Sequence, residues 1–424
     1  MIQIIKDTSG NRADIFSAAM EKADVSGVVS EIIDRVRREG DAALYYYCEK
    51  FDKARLDTLL VSEEEIREAV SLVDGKFLEV LKKSRDNITA FHKRQARESF
   101  EMSEKPGVIL GQKIIPVDCA GLYVPGGTAA YPSTVLMDAI PAKIAGCPRV
   151  VMVTPPDKDG KVNPVILAAA YIAGVDEIYK VGGAQAIAAL AYGTETIPKT
   201  DKIVGPGNAY VAEAKRQVYG IVSIDMIAGP SEIMIVADKT NRPKDIAADL
   251  LSQAEHDKMA SAVLATDSLE LAEAVSAELE RQIPMLERAD IARASIDNNG
   301  KIIVTDSIDS AIEIANGIAP EHLEICTDNP MEYLPKIKHA GSVFLGKYCP
   351  EALGDYLAGT NHTLPTCGTA RFSSPLSVDD FIKKTQYIYY DKTALEEVCK
   401  DVEYFAKKEG LTAHAKSAVI RFED

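Results

Sequence analysis

Between residues 113 and 219 short apolar runs alternate with helical stretches, and most of the junctions carry glycine. Residues 114–117 and 121–124 read as strands, followed by the turn Pro125-Gly126-Gly127-Thr128. Residues 132–146 read as a helix closed by Gly146, and 149–154 as a strand of the fully buried kind. The pattern repeats with a helix over 163–173, a strand over 177–181 and Gly182-Gly183 opening a helix to Tyr192. A strand over 202–205, the turn Pro206-Gly207-Asn208 and a helix to Tyr219 complete it. Parallel neighbours need long crossover connections, so this alternation constrains the chain to a parallel sheet flanked by helices. Ligands on such sheets sit where loops leave the carboxyl ends of the strands, which is where the three glycine turns fall.

Strands over 222–226 and 231–237 follow, and then a second alternating region: a helix from Pro243, strands over 262–265, 301–304, 322–326 and 342–345, and helices over 268–281 and 307–316. The N-terminal hundred residues differ. Helical spacing runs through 28–50 and 78–95, and Ser62-Glu-Glu-Glu65 has the form of a capping box. Residues up to about 22 carry little periodic signal and are expected to form an arm. Beyond Arg371 the alternation stops, and 378–389, 394–409 and 413–420 read as extended and helical tail elements.

Charge narrows the partners. Asp and Glu number 64 against 48 Lys and Arg, a formal net charge of -16, which argues against binding nucleic acid or an anionic membrane. A phosphate-bearing cofactor stays open, because backbone amides and helix N-termini hold phosphate without net positive charge. The seven cysteines include no Cys-x-x-Cys pair, which suits a reducing compartment. The N-terminus lacks the basic-then-apolar order of a secretion signal, and the longest apolar runs, such as 165–175, are too short to span a bilayer. A cytoplasmic enzyme of small molecules is expected.

The chemistry-bearing residues are sparse. On the helix from Pro243, Gln253 and His256 are three residues apart and leave from one face. Glu321-His322 follows Pro320 directly and forms a natural acid–base pair. If the segment is a regular strand, the two side chains face opposite ways unless Pro320 holds them at the strand's mouth. His362 lies in a loop-like run after Gly354-Asp355, and His414 in Glu409-Gly-Leu-Thr-Ala-His414; His92 and His339, among lysines, are expected at the surface. Gln253, His256, Asp355 and His414 could supply nitrogen and oxygen donors to one zinc ion, though their separations are too long for spacing to show it. Gly205-Pro206-Gly207 supplies two glycines of a dinucleotide turn, but Tyr210 occupies the third position. Cys119, Cys147 and Cys349 have no neighbouring His or Lys to activate them.

Taken together, Gly-Leu-Tyr-Val-Pro-Gly-Gly, Val-Gly-Gly-Ala-Gln-Ala-Ile-Ala-Ala-Leu, Gly-Pro-Gly-Asn, Ala-Gly-Pro-Ser-Glu, Leu-Leu-Ser-Gln-Ala-Glu-His, Ala-Pro-Glu-His-Leu, Gly-Thr-Asn-His-Thr-Leu-Pro-Thr and Glu-Gly-Leu-Thr-Ala-His resemble the histidinol dehydrogenase family. The likeness runs in order from about Val25 to Arg421. It implies oxidation of L-histidinol through L-histidinaldehyde to L-histidine with two NAD+ in succession, in histidine biosynthesis, and one zinc ion per subunit. Zinc ligands then fall on Gln253, His256, Asp355 and His414, the water-activating carboxylate on Glu321 and the general base on His322. Substrate contacts fall on Ser231, Gln253, His256, His322, Asp355, Glu409 and His414, and NAD contacts on Tyr123, Gln185 and Asn208. Glu409 and His414 would reach the site of a partner subunit, which implies a homodimer. With the two alternating regions, the expectation is an α/β fold of two Rossmann-like three-layer units with parallel sheets, plus an N-terminal helical region and a C-terminal helical tail. The expected parts are an arm over 1–22, a discontinuous catalytic domain over 23–122 and 232–372, an NAD domain over 123–231, and an exchanged tail over 373–424.

Two other readings compete. One is a zinc hydrolase of a small amino-acid derivative in which Glu321 activates water without nicotinamide. The other is a non-catalytic nucleotide-binding dimer with structural zinc, against which stand a Gln and an Asp among the ligands, since structural zinc prefers Cys and His.

Overall fold

A computed structural model describes residues 2–7, 24–126 and 130–423. Most of the expected arm, residues 8–23, and Gly127-Thr128 of the first glycine turn lie outside the described residues.

Five parallel strands form one sheet, in the order Glu177–Lys180, Arg149–Thr154, Cys119–Tyr123, Lys202–Val204, Ser223–Ile224. In chain sequence that is 3-2-1-4-5, so the order reverses between Cys119–Tyr123 and Lys202–Val204. Their carboxyl ends flank the crevice that such sheets use for ligands. Val150, Val151, Met152 and Val153 are all fully buried, as expected of a strand covered on both faces. Gly205 marks the reversal: its φ is +111°, and a Cβ there would collide with the Tyr123 carbonyl oxygen, so only glycine lets the two strand exits approach.

The N-terminal helices Ser26–Glu39 and Asp41–Tyr47 cover this sheet. Val29, Ile32, Ile33 and Val36 share a core with Ile187, Leu190 and Val211. These helices therefore pack with residues of the 123–231 region. Helical spacing shows which face is apolar but not which distant face will cover it. The capping box at Ser62 and Glu65 forms as read.

The second parallel sheet has six strands: Gln3–Lys6, Lys301–Val304, Ser261–Thr266, Glu232–Ala237, His322–Cys326 and Ser342–Leu345. From Glu232–Ala237 onward it repeats the 3-2-1-4-5 order, with the N-terminal strand added at the edge. The start of the expected arm is thus a sheet strand. Helices Pro243–Ala254, Leu269–Gln282 and Ala289–Asn299 pack on one face and Ile308–Ile318 on the other. Each parallel sheet is therefore sandwiched between helices.

Residues 96–117 and 382–424 form a separate compact unit, while 1–95 and 118–381 form the other. The smaller unit holds an antiparallel sheet of Ile382–Tyr390, Val108–Pro116 and Phe100–Met102, with helices Lys392–Lys408 and Thr412–Val419. Residues 114–117, expected to open the first parallel sheet, belong here instead, and the tail carries a long strand. No helix among the described residues is long and apolar enough to cross a membrane.

Candidate active site

The candidate acid–base pair Glu321 and His322, with Ser231, stands at the amino edge of the six-stranded sheet, opposite to the edge that such sheets usually employ. Ala319 turns the chain with φ +54°, and the strand begins at His322, so Glu321 stands just outside it. That placement lets both adjacent side chains reach one pocket. The Glu321 carboxylate accepts the Glu232 N–H at 2.8 Å, and its Oε2 lies 3.6 Å from His322 Nδ1. Burial raises the Glu321 pKa well above the usual carboxylate range.

His322 Nδ1 is 3.0 Å from the Glu232 carbonyl oxygen. Its other nitrogen, Nε2, is buried and has no hydrogen-bond partner among the described residues. Burial pushes the imidazole pKa down to about 4 despite the opposing charge of Asp355, so the ring is neutral.

Gln253 occupies the last turn of Pro243–Ala254 and is 1% exposed; neither amide atom makes a well-formed hydrogen bond, although Glu351 lies beside it. His256 follows the end of the helix, not on it as expected, and its N–H bonded to the Gln253 carbonyl at 3.1 Å keeps the two together. Burial lowers the His256 pKa while the charge of Asp355 opposes it. Asp355, in the turn Gly354–Ala358, has Oδ1 3.4 Å from His362 Nδ1. Burial works against its charge, but the His362 hydrogen bond and charge hold its carboxyl well below the usual range. Ser231 stands half-buried immediately before the strand Glu232–Ala237.

Sequence reasoning missed Glu351. Its Oε1 is 3.8 Å from His322 Nε2 and its Oε2 accepts the Ser252 hydroxyl at 3.0 Å; burial and the charge of Asp355 push its pKa up to about 9. Donor atoms of His322, Glu351 and Asp355 lie within 4.8 Å of one another. The cluster fits a cation: an unengaged imidazole nitrogen, an orphaned amide buried beside it and converging carboxylates have more acceptor capacity than the protein's own donors satisfy. Glu351 gave no local signal, because its partners come from positions 252, 322 and 355. His362 was singled out in its loop, but its pairing with Asp355 was not foreseen.

Glu409 and His414 belong to the smaller unit. Glu409 follows Lys392–Lys408 and His414 lies in the first turn of Thr412–Val419, both exposed. The three candidate nicotinamide contacts sit at the carboxyl edge of the five-stranded sheet. The Tyr123 hydroxyl accepts the Gly183 N–H at 3.1 Å, tying two glycine turns together. Gln185 is buried in the first turn of Gly183–Tyr192. Asn208 caps Ala209–Val218, its Oδ1 accepting from Tyr210 and Val211 at 3.0 and 3.2 Å, which leaves its Nδ2 donors for a ligand. His92, expected at the surface, is instead fully buried with Nδ1 2.7 Å from Gln95 Oε1. Its lysine neighbour disguised an inward-facing position. Cys119 and Cys147 are buried thiols pushed up to about 11 and about 12, which makes them poor nucleophiles.

Two doubly wound parallel sheets and a buried cluster of imidazoles and carboxylates define an α/β protein with an enzyme-like site. The model of the histidinol dehydrogenase family matches residues 17–422. The chain is 55% identical over 428 residues to the histidinol dehydrogenase of Clostridium acetobutylicum, covering 100% of this chain and 99% of that one. It is 58% identical over 396 residues to that of Bacillus cereus, covering 93% and 92%. The crystal structure of histidinol dehydrogenase from Elizabethkingia anophelis is similar with a TM-score of 0.95 at 40% identity, covering 100% of this chain and 98% of that one. The chain belongs to the histidinol dehydrogenase family of oxidoreductases.

Proposed function

We propose that this protein oxidises L-histidinol through L-histidinaldehyde to L-histidine, using two NAD+ and one zinc ion per subunit. The observation that carries the reading is the convergence of Gln253, with its amide unengaged, and His322, with Nε2 unengaged, on the paired carboxylates of Glu351 and Asp355. Gln253, His256 and Asp355 would hold the cation together with His414 of a second copy, and Glu409 of that copy would contact the substrate. Zinc, when bound, supplies an anchor for the imidazole and amine of histidinol, which are donors suited to a borderline metal. NAD+, when bound near Tyr123, Gln185 and Asn208, supplies the hydride acceptor.

His322 acts through Nε2. It takes the hydroxyl proton as the substrate carbon gives up its first hydride, and that C–O single bond becomes the aldehyde carbonyl. Glu321 then takes a proton from water as the oxygen bonds to the aldehyde carbon, and protonated His322 returns its proton to the former carbonyl oxygen, giving the hydrate and restoring the neutral imidazole. His322 then removes a hydroxyl proton from the hydrate as the second hydride leaves, giving the carboxylic acid, which ionises to the carboxylate. The buried surroundings of Glu321 favour its neutral form and so make its anion a stronger base.

The test is histidinol-dependent reduction of NAD+ by zinc-loaded protein, followed at the NADH absorbance with products resolved by chromatography. Two NADH per L-histidine formed supports the proposal. NADH-independent hydrolysis of an amino-acid derivative would favour a zinc hydrolase, and the proposal would fail.

A further inference from the structure

Helix Pro132–Ala145 carries one acidic residue, Asp138, and it is fully buried. Asp138 Oδ1 accepts the Thr363 hydroxyl at 3.0 Å, while Oδ2 has no hydrogen-bond partner among the described residues. A Cβ on Gly205 would lie 3.0 Å from Oδ2, so the carboxyl packs directly against the glycine at the sheet's reversal. Burial, with the charge of Asp225 added, pushes the carboxyl pKa up to about 7. A buried acid costs stability unless it is hydrogen-bonded, and only one of the two Asp138 oxygens has a partner among the described residues.

Those contacts form a brace. Thr134, one turn earlier on the helix, meets His362 Nε2 at 3.3 Å, and the Met137 carbonyl accepts Asn361 Nδ2 at 2.7 Å. With Thr363 on Asp138, three consecutive residues are tied to one stretch of helix. The middle one, His362, holds Asp355. On the opposite side Gly205 is gripped at both ends. Its N–H donates to Asp225 at 2.8 Å, its carbonyl accepts Lys215 Nζ at 3.0 Å, and Lys215 and Asp225 form a buried ion pair.

We propose that Asp138 is a positioning residue. Through Thr363 it fixes the 361–363 segment, and hence His362 and Asp355, against the Gly205 turn, so that the cation site and the hydride-acceptor site keep their spacing. This rests on the reading of Asp355 as a cation ligand.

The test uses full-length protein and reads Zn2+ affinity by competition with a chromophoric chelator, apoprotein thermal stability, and kcat and KM for histidinol. Thr363→Val removes the hydroxyl at nearly constant shape, whereas Thr363→Ser keeps it. Thr363→Val should weaken Zn2+ binding by roughly tenfold or more, and lower kcat, at temperatures where the apoprotein, less stable with Asp138 unsatisfied, is still fully folded. Asp138→Ala should follow it, while Thr363→Ser and Asp138→Asn, which keep the donor or the acceptor, stay near the parent. Parental Zn2+ affinity and kcat in Thr363→Val would overturn the proposal, as would equal losses in Val and Ser. Should Asp138→Ala not fold, the Thr363 pair decides. Asp355→Ala is the reference: if it retains parental Zn2+ affinity, the reading of the cation site fails, not merely the brace.

Discussion

His322 Nδ1 lies 3.0 Å from the main-chain oxygen of Glu232, and this contact fixes the tautomer of the ring. A carbonyl only accepts, so Nδ1 carries the proton and Nε2 keeps its lone pair turned toward Glu351. His322→Asn, measured by steady-state kinetics, should therefore lower kcat by roughly 10²–10⁴-fold. Parental kcat would remove His322 from the role of base.

Glu321 and His322 have separable tasks. Glu321→Gln keeps an oxygen for the Glu232 N–H but cannot take a proton from water. Oxidation of supplied L-histidinaldehyde should fall much further than oxidation of L-histidinol to the aldehyde, each read by rapid mixing. Equal losses would reject the division.

Lys215 and Asp225 are almost fully buried, at 2% and 1% side-chain exposure. Lys215→Met leaves Asp225 without its counter-charge and frees the Gly205 carbonyl. Denaturant unfolding should show a loss of about 3–5 kcal/mol. An unchanged midpoint would mean that the pair contributes nothing to the turn.

Asp138 should make stability depend on pH. Its folded pKa is raised to about 7 from an ordinary 3.8, so the folded state keeps a proton that the unfolded chain releases. Its favourable contribution is complete below about pH 4 and is lost as pH rises through about 7, a change on the order of 4 kcal/mol. Thermal midpoints of Asp138→Asn should decline less across that window than those of the parent. Parallel profiles would show that Asp138 does not titrate there.

Much of this arrangement was legible because its signals are local. Glycine turns between apolar runs marked both parallel sheets, and Glu321-His322 after Pro320 announced itself as a pair. Extended chain was legible at 114–117 and 378–389, but the antiparallel pairing and full length of these strands were not. Val108–Pro116 pairs with Ile382–Tyr390 across most of the chain, and exposed Tyr387, Ile388, Tyr389 and Tyr390 leave no alternation to read. Gln3–Lys6 is a short edge strand whose partner, Lys301–Val304, lies far downstream. Glu351 and Asp138 look like ordinary acids until tertiary packing buries them beside His322 and Gly205.

The proposed active centre needs Glu409 and His414 of a second copy. Mixing an inactive His322→Asn chain with an inactive His414→Ala chain under subunit exchange tests this most directly. Half of a random mixture is heterodimer, with one of its two centres intact, so histidinol-dependent NAD+ reduction should recover to about a quarter of the parental rate. A mixture that stays as inactive as its components would contradict the shared centre.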